Sequence, residues 1–422
     1  MAILLKNTTY IDWQTFEFTE ADLLVEEGAT GEIQLFYPGE AEEKENHTID
    51  CTGKFVTKSM ANGHHHVYSA LARGMPAPPK QPNNFHEILQ YIWWRLDKAL
   101  DLEMIEASAL YTAMECAKNG VTFAIDHHAS PYAIEGSLET IAKAFDKVGV
   151  SHLLCYEISD RDGESIASNG LNETKTYLSK NQGLVGLHAS FTVGDKTMKA
   201  AAQLANKYNS GVHIHVAEDK FDQEECKRNY GIGVIERLQN FGILDIPKSI
   251  LAHCIHISDE ERKILKNAKC RIVQNAESNL NNSVGFFSSK GLGENIILGT
   301  DGMHSNMIRS AQASYFYGIG IENICPDGIY KRLRNVHQYL NENDFSGDGE
   351  NNLMVLDYPS PTEMNATNFL GHFFYGLESK HIQHVISNGK LIVKDKLIQT
   401  VNETEILGFA KEQANRLWSK LK

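Results

Sequence analysis

The sequence predicts an α/β protein: a (β/α)8 TIM-like barrel flanked by a small β-sandwich domain that both chain ends build. Three observations predict it. Over residues 58–345 short apolar runs alternate with longer amphipathic stretches, the rhythm of parallel β-α units. The segments on either side carry short strand-like runs between turn-formers, with one closing helix, the mark of a β domain. Many of the 18 histidines lie within or just after the apolar runs, and a barrel gathers its active site at the C-terminal ends of its strands.

The elements follow in chain order. Residues 2–6, 23–26 and 33–37 are short strands of a first flanking part, residues 1–57. Eight strand candidates then mark the barrel, residues 58–345: 55–61, 121–126, 152–156, 184–188, 212–216, 250–253, 271–275 and 296–299. Between them, stretches such as 138–148, 196–208 and 260–268 return apolar residues at three- and four-residue intervals, the period of a helix with one buried face. From residue 346 the strand pattern resumes at 353–357, 384–387 and 391–393, with turns at Asn388-Gly389 and 394–396. An amphipathic helix over 403–420 closes the chain. The two flanking parts are expected to meet in one domain.

Composition excludes several classes. At 42% hydrophobic and 22% charged residues the chain has a globular balance. The net charge of −14 argues against nucleic acid as a partner, because phosphate binding needs a basic face. No apolar run approaches the roughly 20 residues that span a bilayer. Residues 2–5 are apolar but stop at Lys6, short of the about 7–15 residues of a signal-peptide core. Seven scattered cysteines, never spaced C-x-x-C, read as reduced thiols. These features point to a cytoplasmic protein without nucleic-acid or membrane partners.

The chemistry lies at the strand ends. The first run ends Asn62-Gly63-His64-His65-His66, and alternate strand residues share a face, so His64 and His66 can converge on one ion while His65 faces elsewhere. The fifth run reads His213-Ile214-His215-Val216-Ala217-Glu218: a metal ligand followed by a carboxylate able to carry a proton. Either His213 or His215 could be that ligand. The sixth run supplies His253 and the eighth Asp301. Taken singly, each has a plain structural role open to it: Asp301 could cap a helix and Glu218 could be a solvated charge. Their coincidence on one rim of a barrel is what points to a metal-assisted hydrolase.

These residues, in this order, resemble the amidohydrolase superfamily, and within it the deaminase and chlorohydrolase branch. The resemblance runs over nearly the whole chain, through NGHHHVYSALARGM, DHHASP, CYEISDRDG, HIHVAED, LAHCIHISDEE, NAESNLNN and LGTDGMHSNM. It implies His64, His66, His215 and Asp301 as metal ligands, thereby choosing His215 over His213. It also implies Glu218 as proton shuttle, His253 as the group that holds the reacting water, and His188 as a substrate contact. Binuclear members carry a lysine or glutamate at the end of the fourth strand. Here that place reads Leu187-His188-Ala189-Ser190, so one divalent metal is expected, zinc ahead of iron. Two departures stand out: Lys58-Ser59-Met60 replaces a Pro-Gly, and H-H-H replaces H-T-H. Neither removes a ligand.

The expected reaction is hydrolytic deamination of a nitrogen heterocycle (a purine, pyrimidine or cyclic amidine), with ring-opening of a cyclic amide as the alternative. A non-catalytic binding protein would be expected to lack a ligand or the acid, and none is missing. No H-E-x-x-H helix suggests a peptidase. Arg161, His128, Asn279 and His304 are further candidates for contacting a small-molecule heterocyclic substrate, while Trp93-Trp94 reads as core or interface. The resemblance also implies a homodimer.

Overall fold

In the computed structural model, which describes residues 2–41 and 47–422, the apolar runs pair side by side as eight parallel strands. In chain order these are Met60–His65, Val121–His128, Ser151–Ile158, Val185–Ala189, Val212–Val216, Ile250–His253, Arg271–Gln274 and Ile296–Leu298, each beside the next. The barrel closes where the eighth strand returns to the first: Thr300 and Asp301 both donate main-chain N–H groups to the carbonyl of His64, each at 3.0 Å. Two glycines permit that approach. A Cβ on Gly63 would lie 2.7 Å from the Leu298 carbonyl oxygen, and one on Gly299 would lie 2.9 Å from the His64 nitrogen. Any larger residue at either place would push the seam apart and displace His64.

Alternate residues turn inward, as the strand period requires. Phe123, Ile125, Leu153, Cys155, Ala252, Val273 and Ile297 fill the barrel, joined by Val336, Tyr339 and Leu340 of the helix Pro326–Glu342. Outside, helices bury one stripe each. In Ser137–Val148 it comprises Leu138, Ile141, Ala142, Phe145 and Val148. The helical stretches read at 196–208 and 260–268 form as Asp195–Lys207 and Asp259–Lys266, the latter capped by Ser258, whose hydroxyl accepts from the Glu261 N–H.

The chain ends join in one continuous sheet of nine strands among the described residues, and its two limbs share an apolar cluster that includes Leu5, Leu23, Val56, Val355 and Ile386. The candidate first barrel strand, 55–61, divides between the two sheets. Phe55–Lys58 pairs with Ile3–Ile11 and Leu353–Leu356 in the flanking sheet. Ser59 N–H then donates to Asn352 O, while Met60 N–H donates to Gly120 O and begins the barrel. The helix Glu403–Leu421 packs back on Leu102–Lys118, and Trp418 donates its indole N–H to the carbonyl of Leu71, steadying the segment that follows the first barrel strand. No helix among the described residues is long and apolar enough to cross a membrane.

Candidate metal centre

Four imidazoles and two carboxylates meet at the C-terminal rim. His66 Nε2 lies 2.9 Å from Asp301 Oδ1, and His64 Nε2 lies 3.4 Å from the same oxygen. His215 Nε2 is 3.1 Å from His66 Nε2. His253 Nε2 stands 3.7 Å from Asp301 Oδ2 and 3.5 Å from Glu218 Oε2. Ligand atoms of His64, His215, His253 and Asp301 all fall within 4.8 Å of one another. The backbone is bent to achieve this. Ala217, His253, Cys254 and Asp301 all have positive φ, between 44° and 73°, a conformation that costs non-glycine residues energy and gathers at functional sites.

Each ring is held by its other nitrogen. His66 Nδ1 donates to the His127 carbonyl at 2.6 Å, His215 Nδ1 to the His188 carbonyl at 2.9 Å, and His253 Nδ1 to Asn279 Oδ1 at 2.7 Å. His64 Nδ1 meets His213 Nε2 at 2.9 Å. Fixing Nδ1 in this way leaves Nε2 as the atom presented, the arrangement that orients histidines on a metal. His64 Nε2 and His253 Nε2 are buried without a hydrogen-bond partner, a cost that an ion held there would offset. Burial depresses the His64 ring to about 3, so its lone pair is free at neutral pH. Burial also works against His66, yet the neighbouring Asp301 carboxylate holds that ring up at about 9. A second trio, His66, His127 and His215, also clusters. There, however, His127 Nε2 is turned to the carbonyls of Leu187 and His213.

Glu218 is pushed up to about 7, chiefly by burial and further by Asp301. Its loop is pinned by Asp222, whose carboxylate accepts from the N–H groups of Ala217 and Phe191. Ser278 donates its hydroxyl to Asp301 Oδ2 at 2.5 Å.

A cavity of about 370 Å³ opens over this cluster. His188, Arg161 and His304 lie on its wall, as do His65, Trp93 and Trp94. The tryptophan pair thus faces the site as well as the core. Asn279 and His128 are not on the wall. Asn279 is buried behind His253, and His128, on the outward face of the second strand, is bonded to Ser130 Oγ at 2.9 Å. Arg161 is enclosed by three carboxylates: Nη2 by Asp97, Nη1 by Glu157 at 3.1 Å and Nε by Asp162 at 3.1 Å, with its guanidinium over the Trp94 ring. Reading the sequence did not single out Ser278, Asp97 or Glu157 for these places. His213 was read as the alternative to His215, since it stands two residues before it and therefore on the same face; here it backs His64 instead.

The pattern that defines the amidohydrolase family matches residues 55–344, and the chain belongs to that family. It is 25% identical to the 5-methylthioadenosine/S-adenosylhomocysteine deaminase of Thermoanaerobacter pseudethanolicus, over 99% of each chain. With the 5'-deoxyadenosine deaminase of Methanococcus maripaludis it shares 26% identity, over 93% of this chain and 95% of that one. Its fold is similar to that of a zinc-bound adenosine deaminase from Xanthomonas campestris, with a TM-score of 0.81 over 99% of this chain and 100% of that one, at 15% identity. The protein is a hydrolase of carbon–nitrogen bonds.

Proposed function

We propose that this protein deaminates a neutral nitrogen heterocycle at a single zinc ion, releasing ammonia. The observation that carries the reading is the convergence of ring nitrogens on Asp301, with Glu218 beside them and a cavity above. Three nitrogens and one carboxylate oxygen suit zinc, so His64, His66, His215 and Asp301 are the proposed ligands. The fourth strand ends His188-Ala189 and offers no bridging lysine or glutamate, which supports one ion rather than two. When bound, the ion supplies Lewis acidity and lowers the pKa of a coordinated water from about 15.7 to about 7.

The side chains then divide the proton work. Asp301 accepts the proton of the attacking water and passes it to the departing amine as the carbon–nitrogen bond breaks, so that the amine leaves as ammonia. Glu218, kept partly protonated near neutrality by burial, passes a proton to the ring nitrogen, a general-acid contribution of roughly 10²–10⁴-fold. His253, anchored by Asn279, turns Nε2 toward the oxygen that adds to the ring carbon. His188 and His304 contact the substrate from the wall. Arg161, its charge already met by Asp97, Glu157 and Asp162, favours a substrate without a negative group. The named activities of the two relatives support adenine nucleosides as the first substrates to try. The seven cysteines are free thiols, which supports a reducing, cytoplasmic setting.

The test is metal content of the purified protein, together with ammonia release from a panel of purine and pyrimidine bases and nucleosides. Wild type and Glu218→Gln are compared. About one zinc per chain, activity on a heterocycle and loss of that activity in the variant with zinc retained are expected. Zinc without ammonia from any heterocycle would replace deamination by ring-opening hydrolysis.

A further inference from the structure

The proposed ligand histidines are not held alike. His66 and His215 donate Nδ1–H to main-chain carbonyls, which accept and never donate. For these two rings the tautomer is settled by the backbone. His64 instead faces another imidazole, His213 Nε2, at 2.9 Å. Either ring could donate in that pair. If His213 donated, His64 would carry its proton on Nε2 and could not ligate.

The chain of contacts beyond His213 breaks the tie. His213 Nδ1 lies 3.8 Å from Cys155 Sγ, and Cys155 Sγ lies 3.4 Å from the carbonyl oxygen of Asp126. That carbonyl can only accept, so the thiol donates to it. The sulfur then accepts from His213 Nδ1–H, His213 Nε2 is left with its lone pair, and His64 Nδ1–H donates to it. Every proton points away from His64 Nε2. Cys155 and His213 are fully buried, so water does not compete for these contacts. The relay crosses four barrel strands: the second through Asp126, the third through Cys155, the fifth through His213 and the first through His64.

We propose that His213 and Cys155 are positioning residues: a proton relay that locks His64 in the tautomer able to bind the metal. This rests on the metal reading of the site. It also explains why two histidines stand on one face of the fifth strand: His215 ligates, and His213, one layer deeper, sets the ligand on the opposite strand.

The experiment is zinc dissociation from the holoenzyme by chelator competition, for wild type, His213→Phe, His213→Gln, Cys155→Ala and Cys155→Ser. Losing an outer-shell partner typically costs about 10–100-fold in metal affinity, and that loss is expected for His213→Phe. Cys155→Ala is expected to weaken zinc binding less, because His213 still accepts in part of the molecules. Cys155→Ser, whose hydroxyl can donate and accept in turn, should restore wild-type affinity, and His213→Gln, which keeps an acceptor near Nε2, should recover part of the loss. A packing role alone would not order the variants by acceptor chemistry. Wild-type zinc affinity in both His213→Phe and Cys155→Ala overturns the relay. If His213→Phe does not fold, the Cys155 pair decides alone, and equal affinity in Ala and Ser overturns it. A wild-type protein that binds no zinc would sink the metal reading itself.

Discussion

At the His64–Asp301 corner of the cavity, buried ring nitrogens face inward without hydrogen-bond partners. At the Arg161 corner, each guanidinium nitrogen meets a carboxylate. Both corners are buried and rich in charge, yet they handle that charge in opposite ways. The first fits the positive ion proposed for it, and two of its residues, His253 and Asp301, carry positive φ to reach their places. The second closes its electrostatics within the protein and stacks the result on Trp94. The difference separates chemistry from shape: substitutions in the first corner should remove turnover with the fold intact, and those in the second should weaken the fold first.

The largest effect is expected at Asp301. Asp301→Asn removes a proposed ligand oxygen and the proton acceptor together, so turnover should fall by about 10⁴-fold or more, with a thermal midpoint for the metal-free protein close to wild type. Steady-state kinetics and a melting curve check both halves. A variant that unfolds instead would break the comparison.

Arg161→Met is the converse. It leaves Asp97 and Glu157 buried without their shared cation, while Asp162 keeps Lys98, and breaking a buried pair costs about 3–5 kcal/mol. A urea unfolding midpoint lowered to that extent, with zinc still bound in the folded fraction, is the expected result. Unchanged stability with a changed substrate preference would move Arg161 into the chemical corner.

Between the two lies Asn279→Ala, which frees His253 Nδ1 from its anchor. Turnover should drop about 10–100-fold, with zinc content unaffected. Loss of zinc would make His253 a ligand rather than a holder of the reacting water.

Much of this contrast could be read before folding, and the part that could not has a physical reason. The rim residues were legible because strand period and strand end are local properties: His64, His66, His253 and Asp301 each stand within a few positions of a strand end, while His215 was parted from His213 only by the family resemblance. The Arg161 corner was not: Glu157 and Asp162 lie close by in sequence, but Asp97 reaches it from 64 positions away, and no local pattern shows that the three converge on one guanidinium. The first barrel strand was misplaced for a related reason. Phe55–Lys58 and Met60–His65 read as one apolar run, and only pairing partners distant in sequence, Asn352 and Gly120, divide them at Ser59. The amphipathic helices were found because a buried stripe is written in each helix alone.

The smallest effect refines the closed corner. Three carboxylates share one guanidinium there, and burial, with Glu157 and Asp162 alongside, pushes the Asp97 carboxyl up to about 7 against the pull of Arg161. The unfolded value is about 3.9, so the folded protein binds this proton more tightly. A carboxyl with a raised folded pKa contributes stability that is fully present below about pH 4 and lost as pH rises through about 7. Asp97→Asn, close in shape to the protonated acid and still able to accept from Arg161, removes that dependence. Its stability relative to wild type should therefore improve steadily between about pH 4 and 7, as followed by urea midpoints at several pH values. A constant difference across that range would mean that Asp97 is already ionised throughout it, the pull of Arg161 outweighing burial.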